Sequence, residues 1–186
     1  MQLSGKHVVV SIFALALAMS GWAWMHHYNA TRRMAGFWGP GSANLLVRGD
    51  EVDAYRLESG AASPAEGAYP HWPPAFGGLL EGDAVDHVDL AEAKGLIHLR
   101  HALTQDSNYD WDAPAVDGAP RWGLALRFSN FEAVVWVLLS DDLAVLGKPA
   151  ADGSSVSTLP CPKMAPVLRE YFEDVGVLPA AAADAD

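Results

Sequence analysis

The sequence has a single cysteine, Cys161. One thiol forms no internal disulfide and lacks the companions of a zinc site. Just before an expected helix, in the context PCPKM, it reads as a small packing residue. Basic charge is also scarce: 12 lysines and arginines stand against 23 acidic residues. Three of the basic ones, Lys6, Arg32 and Arg33, lie in the first 33 residues, which hold no acidic residue. The rest of the chain therefore carries 9 basic residues against 23 acidic ones, a body of −14. Such a body repels phosphate backbones, so no nucleic-acid partner is expected.

Catalytic and nucleotide motifs are missing as well. There is no HExxH, no GxSxG, no Walker-type loop and no GxGxxG, which leaves no local spelling for a zinc protease, a nucleophile elbow or a phosphate cradle. No cofactor is expected. The Asp106, Asp110, Asp112 spacing resembles a calcium loop without its central glycine and terminal glutamate. Asp141-Asp142 is the kind of acidic pair that turns attract for backbone reasons alone.

One long hydrophobic run is present. Val8 to Trp24 contains no charged residue and spans about 26 Å as a helix, within the range of a membrane crossing. Val8, Phe13, Leu17, Trp22 and Trp24 are its anchor residues, and Trp22, Trp24 and Tyr28 gather at the end where aromatics prefer the interface. Small residues at Ala16, Ala18 and Ser20 offer signal-peptide cleavage patterns. Cleavage there would leave apolar residues on the new end, so an uncleaved single-pass anchor is the expectation. Charges flanking the run nearly balance and lean slightly toward a cytoplasmic body, but a short N-terminal tail ahead of a first hydrophobic segment usually stays inside, so a body outside the cytoplasm is the expectation.

The expected organisation is residues 1–34 as signal anchor and juxtamembrane segment, 35–178 as one α+β domain, and 179–186 as a disordered tail. Glycines and a proline in residues 35–42 suggest a flexible joint. Strand alternation runs over residues 51–57. The glycine- and proline-rich stretch 60–82 reads as a surface segment, with a possible short edge strand at 84–88; Trp72 and Phe76 are its only large apolar groups and are candidate binding residues. Asp89, with Glu92 three positions on, suggests a cap for a helix over about 90–104.

Trp122 to Leu146 reads as a three-stranded meander, turned at Ser129-Asn130 and again at Ser140-Asp141-Asp142. Its middle strand, Glu132 to Leu139, is apolar on both faces, the pattern of a central strand covered on both sides. Val156 to Leu159 is a candidate fourth strand. A helix after Pro160 carries Met164, Val167, Leu168, Tyr171, Phe172 and Val175 at helical spacing, with Pro162 or Pro166 in its first turn and Gly176 as its stop. The fold class is thus α+β: an antiparallel sheet of four to five strands with two amphipathic helices, preceded by one N-terminal transmembrane helix.

Two further site candidates remain. His98 and His101 stand three apart on the expected helix, and a metal there would need more ligands, with His87 and Asp89 the near possibilities. Trp136 is a candidate binding residue because, with Val134 and Leu138, it makes the second sheet face apolar; either the 60–82 segment or a protein partner would cover it.

The blocks EVDAYRLE, SNYDWD, WGLALRF and VVWVLLSDDLAVL, followed by LREYFEDV, resemble a loose group of small bacterial membrane-anchored or secreted α+β proteins of unknown function. The resemblance implies a cell-envelope location and a similar order of elements, and no activity. With the missing motifs, it sets the expectation of a membrane-anchored, non-catalytic binding or scaffolding domain. The alternative is a small hydrolase or metal-dependent enzyme using His98, His101 and nearby acidic residues.

Overall fold

A computed structural model describes residues 5–58, 83–113, 120–151 and 155–179. Trp72, Phe76 and the 180–186 part of the expected tail lie outside the described residues. The elements in order are α1 (Gly5–Trp38), α2 (Pro40–Arg48), β1 (Glu51–Glu58), β2 (Asp83–Asp89), α3 (Leu96–Thr104), β3 (Trp122–Ser129), β4 (Val134–Ser140), β5 (Val145–Pro149), β6 (Val156–Pro160) and α4 (Ala165–Asp174). A short 3-10 turn, Asp106–Asn108, follows α3.

The fold is α+β, with one antiparallel sheet in the order β2-β1-β3-β4-β5-β6. It has six strands where four to five were expected, because both the edge candidate at 84–88 and the strand at 156–159 are formed. A second short helix, α2, joins the two expected amphipathic ones. The meander is present as read, with small differences. Its first turn is a four-residue loop, not Ser129-Asn130 alone: the Asn130 side chain accepts the amides of Glu132 and Ala133, which delays β4 to Val134.

Alternation divides the sheet into two faces. Val52 and Ala54 on β1, Leu124, Leu126 and Phe128 on β3, and Val137 and Leu139 on β4 share the face that the helices cover. Against it pack Leu45 and Leu46 of α2, Leu99 and Leu103 of α3, and Leu168 and Phe172 of α4. Each such burial contributes about 1.5–3 kcal/mol. The opposite face has a smaller core of its own: Tyr55, Leu57, Ala125 and Leu138, flanked by Trp122, Trp136 and Val156. Its centre is closed within this chain, with Leu138 at 0% exposure and Tyr55 at 1%; Val134, nearer the end of β4, is 48% exposed.

Two local expectations are corrected. The helix expected from residue 90 begins at Leu96 instead. Leu90 continues the strand ladder by donating its amide to Val52, and its side chain is buried in the main core. Asp89 therefore caps a turn, accepting the Ala91 amide. Gly95 then redirects the chain in a left-handed conformation (φ 90°) that its lack of a Cβ permits. The second correction concerns residues 35–42. In place of a loose joint there is a helix–helix corner: α1 runs through Trp38, Gly39 turns the chain at φ 80°, and Pro40 opens α2.

In the last helix the expectations hold. Pro166 lies in the first turn of α4. Gly176, at φ 76°, ends the helix, and the Val177 amide returns to the Phe172 carbonyl.

Candidate functional site

α1 is long and apolar enough to cross a membrane, with a mean hydropathy of 1.9 in its most apolar window. Residues 6–29 are all exposed, Val8, Phe13, Leu17, Trp22 and Trp24 among them. From Ala30 the same helix begins to bury, and Met34 and Trp38 belong to the main core. At about 1.5 Å per residue, its 34 residues reach roughly 51 Å. That is far more than a hydrocarbon layer requires, and the surplus is the part that packs against α2, α3 and the 3-10 turn.

Side chains from distant parts of the chain fasten this junction. Asp106 accepts the amide of Arg33 at 2.9 Å and that of Met34 at 2.8 Å, one on each carboxylate oxygen. A regular helix directs these amides at the carbonyls of Asn29 and Ala30, so the carboxylate stands in the helical ladder, a position that bends helices. The Thr31 hydroxyl bonds back to the His27 carbonyl, a second bend-promoting contact. Trp111 donates its indole N–H to the Asp106 carbonyl and lies under the Arg33 guanidinium. At the far end of α1, the Lys148 amine donates to the carbonyls of Phe37 and Trp38, where the helix dipole favours a cation. Asp106 is thus a backbone clamp; Asp110 and Asp112 do not join it there.

Two grooves flank α3. One, of about 370 Å³, lies between α1, α2 and α3, with Met34, Trp38, Val47 and Ile97 in its walls and His27, Arg100 and His101 around them. The other, of about 470 Å³, separates α3 from α4 and contains His98, Leu99, Tyr171 and Val175. His98 and His101 accordingly face different grooves. No group of three or more His, Cys, Asp or Glu side chains disposed to hold a metal occurs among the described residues. The remaining ligand candidates are elsewhere: Asp89 caps its turn, and His87 is on the opposite sheet face, against Tyr55.

On that face is a polar ribbon that spacing alone does not reveal. Antiparallel pairing sets Asp53 beside Arg127 and Tyr55 beside His87. His87 Nε2 lies 2.9 Å from one oxygen of Asp53, and Arg127 donates to the other at 2.8 Å. Ser129 donates to Glu51, which also lies 3.5 Å from Arg127. With Nε2–H given to Asp53, the His87 Nδ1 is a proton acceptor, and the carboxylate holds the ring in place. The arrangement suits proton transfer, yet Tyr55 and Cys161 are poor nucleophiles for it. Burial first, and then the Asp53 charge, push the Tyr55 hydroxyl up to about 12. Burial likewise pushes the Cys161 thiol up to about 12, and that thiol faces the Leu143 carbonyl.

Trp136, the third binding candidate, stacks at a tilt on Tyr55 with ring centres 5.6 Å apart. It also borders an open groove of about 680 Å³ shared with Val134, Lys148, Pro149 and Trp38. That groove opens where β4 and β5 part, since the two strands pair only at Leu138–Gly147 and Leu139–Leu146. Asp142 is a turn residue: its carboxyl is held below the usual range by the Ser140 hydroxyl and then the Ala144 amide. The sequence clue to the polar ribbon is Arg127 among small residues on one face of β3; its partners depend on strand register. No family model, curated protein or solved structure matches this chain.

Proposed function

We propose that this is a single-pass membrane protein whose folded part is a non-catalytic binding or scaffolding domain at the bacterial cell envelope, carried outside the cytoplasm. The observation that supports this most directly is the continuity of α1. One helix passes from 24 consecutive exposed residues, 6–29, into the main core at Met34 and Trp38. A segment destined for removal has no need of such a junction, whereas a domain mounted at a fixed attitude on a bilayer does. The acidic body and the absence of catalytic spelling fit this reading.

Three measurements on the full chain test this. It sediments with bacterial membranes and stays there in alkaline carbonate. Its intact mass includes Met1 or the residue after it. A phosphatase fused after Asp186 is active. Release by carbonate would sink the anchor, and a well-expressed but inactive fusion would reverse the orientation.

The His87–Asp53–Arg127 arrangement favours a second reading, an enzyme using His87 as a base. Hydrolysis of simple chromogenic esters by the full chain, abolished in His87→Ala, would establish it. The metal-dependent form of that reading, on His98 and His101, has less support because the two face different grooves; stoichiometric zinc in the purified full chain would revive it.

A further inference from the structure

We propose that the groove between α1, α2 and α3 holds an anionic glycerophospholipid, its headgroup toward His27, Arg100 and His101 and one acyl chain running down α1. This rests on the reading of α1 as a membrane span.

Charge is the first argument. The body carries 23 acidic residues against 9 basic ones, yet among the described residues no carboxylate lines this groove, and Arg100, His27 and His101 do. Carbonyls that would repel an anion are covered. Arg100 donates to those of Val47 and Gly49 at 2.7 and 2.6 Å. Thr104 covers the Arg100 carbonyl and Thr31 that of His27. A guanidinium has five N–H donors, so Arg100 has others left for a phosphate oxygen.

Position is the second. The α1 wall of the groove consists of His27, Thr31, Met34, Ala35 and Trp38. By helical spacing this face continues down through Trp24, Gly21 and Leu17. Trp24 and Leu17 are both exposed. His27 lies about 5 Å along the helix from Trp24. With Trp22, Trp24 and Tyr28 at the interface, the lower end of the groove falls at headgroup level. A chain leaving it meets the apolar surface of the span without crossing water.

Size and polarity are the third. At about 30 Å³ per water-sized group, 370 Å³ admits roughly a dozen atoms. That suits a headgroup and the start of a chain. Free phosphate would leave Met34, Ala35, Ala43 and Ile97 with nothing to bury.

The test places the full chain in nanodiscs containing phosphatidylcholine or phosphatidylglycerol with a photoactivatable acyl chain, and maps labelled peptides by mass spectrometry. Phosphatidylglycerol should label residues 27–38 and 96–105 about ten-fold more than phosphatidylcholine. The pair His27→Glu and His101→Glu, both exposed positions, should remove that excess. Val167→Glu, in the groove between α3 and α4, should leave it intact. Equal labelling by both lipids, label confined to residues 8–24, or cross-links between two chains through the groove would each overturn the proposal. Failure of the chain to enter nanodiscs at all would overturn the membrane reading beneath it, so the two failures are distinguishable.

Discussion

Asp106 and Met34, 72 residues apart, are joined carboxylate to backbone amide at 2.8 Å, in the middle of a helix. The other carboxylate oxygen takes the Arg33 amide. A side chain after α3 therefore fixes the course of α1 where that helix leaves its exposed apolar stretch and enters the core. This contact ties the exposed part of α1 to the folded domain.

Asp106→Ala should consequently do two things. Two amides lose a charged acceptor, which destabilises the fold by about 1–3 kcal/mol. Asp106→Asn retains one carbonyl oxygen and should cost about half as much. Spin labels on the exposed residues Trp24 and Ile97 should give a narrow distance distribution in the native chain and a broader one in Asp106→Ala. An unchanged distribution would mean that Met34 and Trp38 alone hold α1 in place.

Gly147 lies close against Trp122 on the second sheet face. A Cβ on Gly147 would lie 2.5 Å from Cη2 of Trp122 and 2.8 Å from Cγ1 of Val156. Gly147→Ala should cost about 1–3 kcal/mol by overpacking. Trp122→Leu in the same chain should recover much of that loss, because the obstructing ring is gone. Thermal unfolding of both single variants and the double variant measures the coupling. Strict additivity would show that Val156, and not the indole, is what penalises a methyl group at Gly147.

Cys161 gives a prediction about alkaline pH. Burial raises its thiol from 9.0 to about 12, and the native state therefore holds the proton where the unfolded chain releases it. Stability from this source is complete below about pH 9 and is lost as pH rises toward 12. Tyr55, also raised to about 12, acts in the same direction over roughly pH 10–12. Unfolding midpoints should fall along this limb, and Cys161→Ala should flatten its lower part. The native thiol should resist a water-soluble thiol reagent at pH 8. Rapid labelling there would contradict the burial of Cys161.

The strands are legible in the sequence because their period survives without context. Leu124, Leu126 and Phe128 alternate cleanly, and so do residues 51–57; Trp122, expected on the same face, lies on the opposite one because the register shifts between it and Leu124. Their neighbours account for what is not legible. Asp89 followed by Glu92 has the form of a helix cap, but Leu90 is held by the ladder to Val52 and by the core, so the helix waits for Gly95. Glycines at 36, 39 and 41 resemble a joint until Trp38 and Met34 are seen to be buried on either side of Gly36. Only at Gly39 is a positive φ used. For sites the limit is sharper. His98 and His101 attract notice because they are close in sequence, yet they face apart. His87, Asp53 and Arg127 meet because of strand register, which spacing does not encode.

That last cluster makes an asymmetric prediction. Asp53 joins His87 and Arg127, its side chain is 14% exposed, and those of its partners are 36% and 27% exposed. Asp53→Ala removes both bonds and leaves a partly buried guanidinium with only the longer contact to Glu51. It should cost about 2 kcal/mol, as for hydrogen bonds to charged groups. His87→Ala removes one bond at a more exposed site and leaves the Asp53–Arg127 pair intact, so its cost should be under about 1 kcal/mol. If His87 were an essential proton acceptor, its removal would abolish activity with little loss of fold, whereas Asp53→Ala would damage both. Thermal unfolding of the two variants at neutral pH separates these roles. Equal destabilisation by both would show that the imidazole, and not the arginine, is the main partner of Asp53.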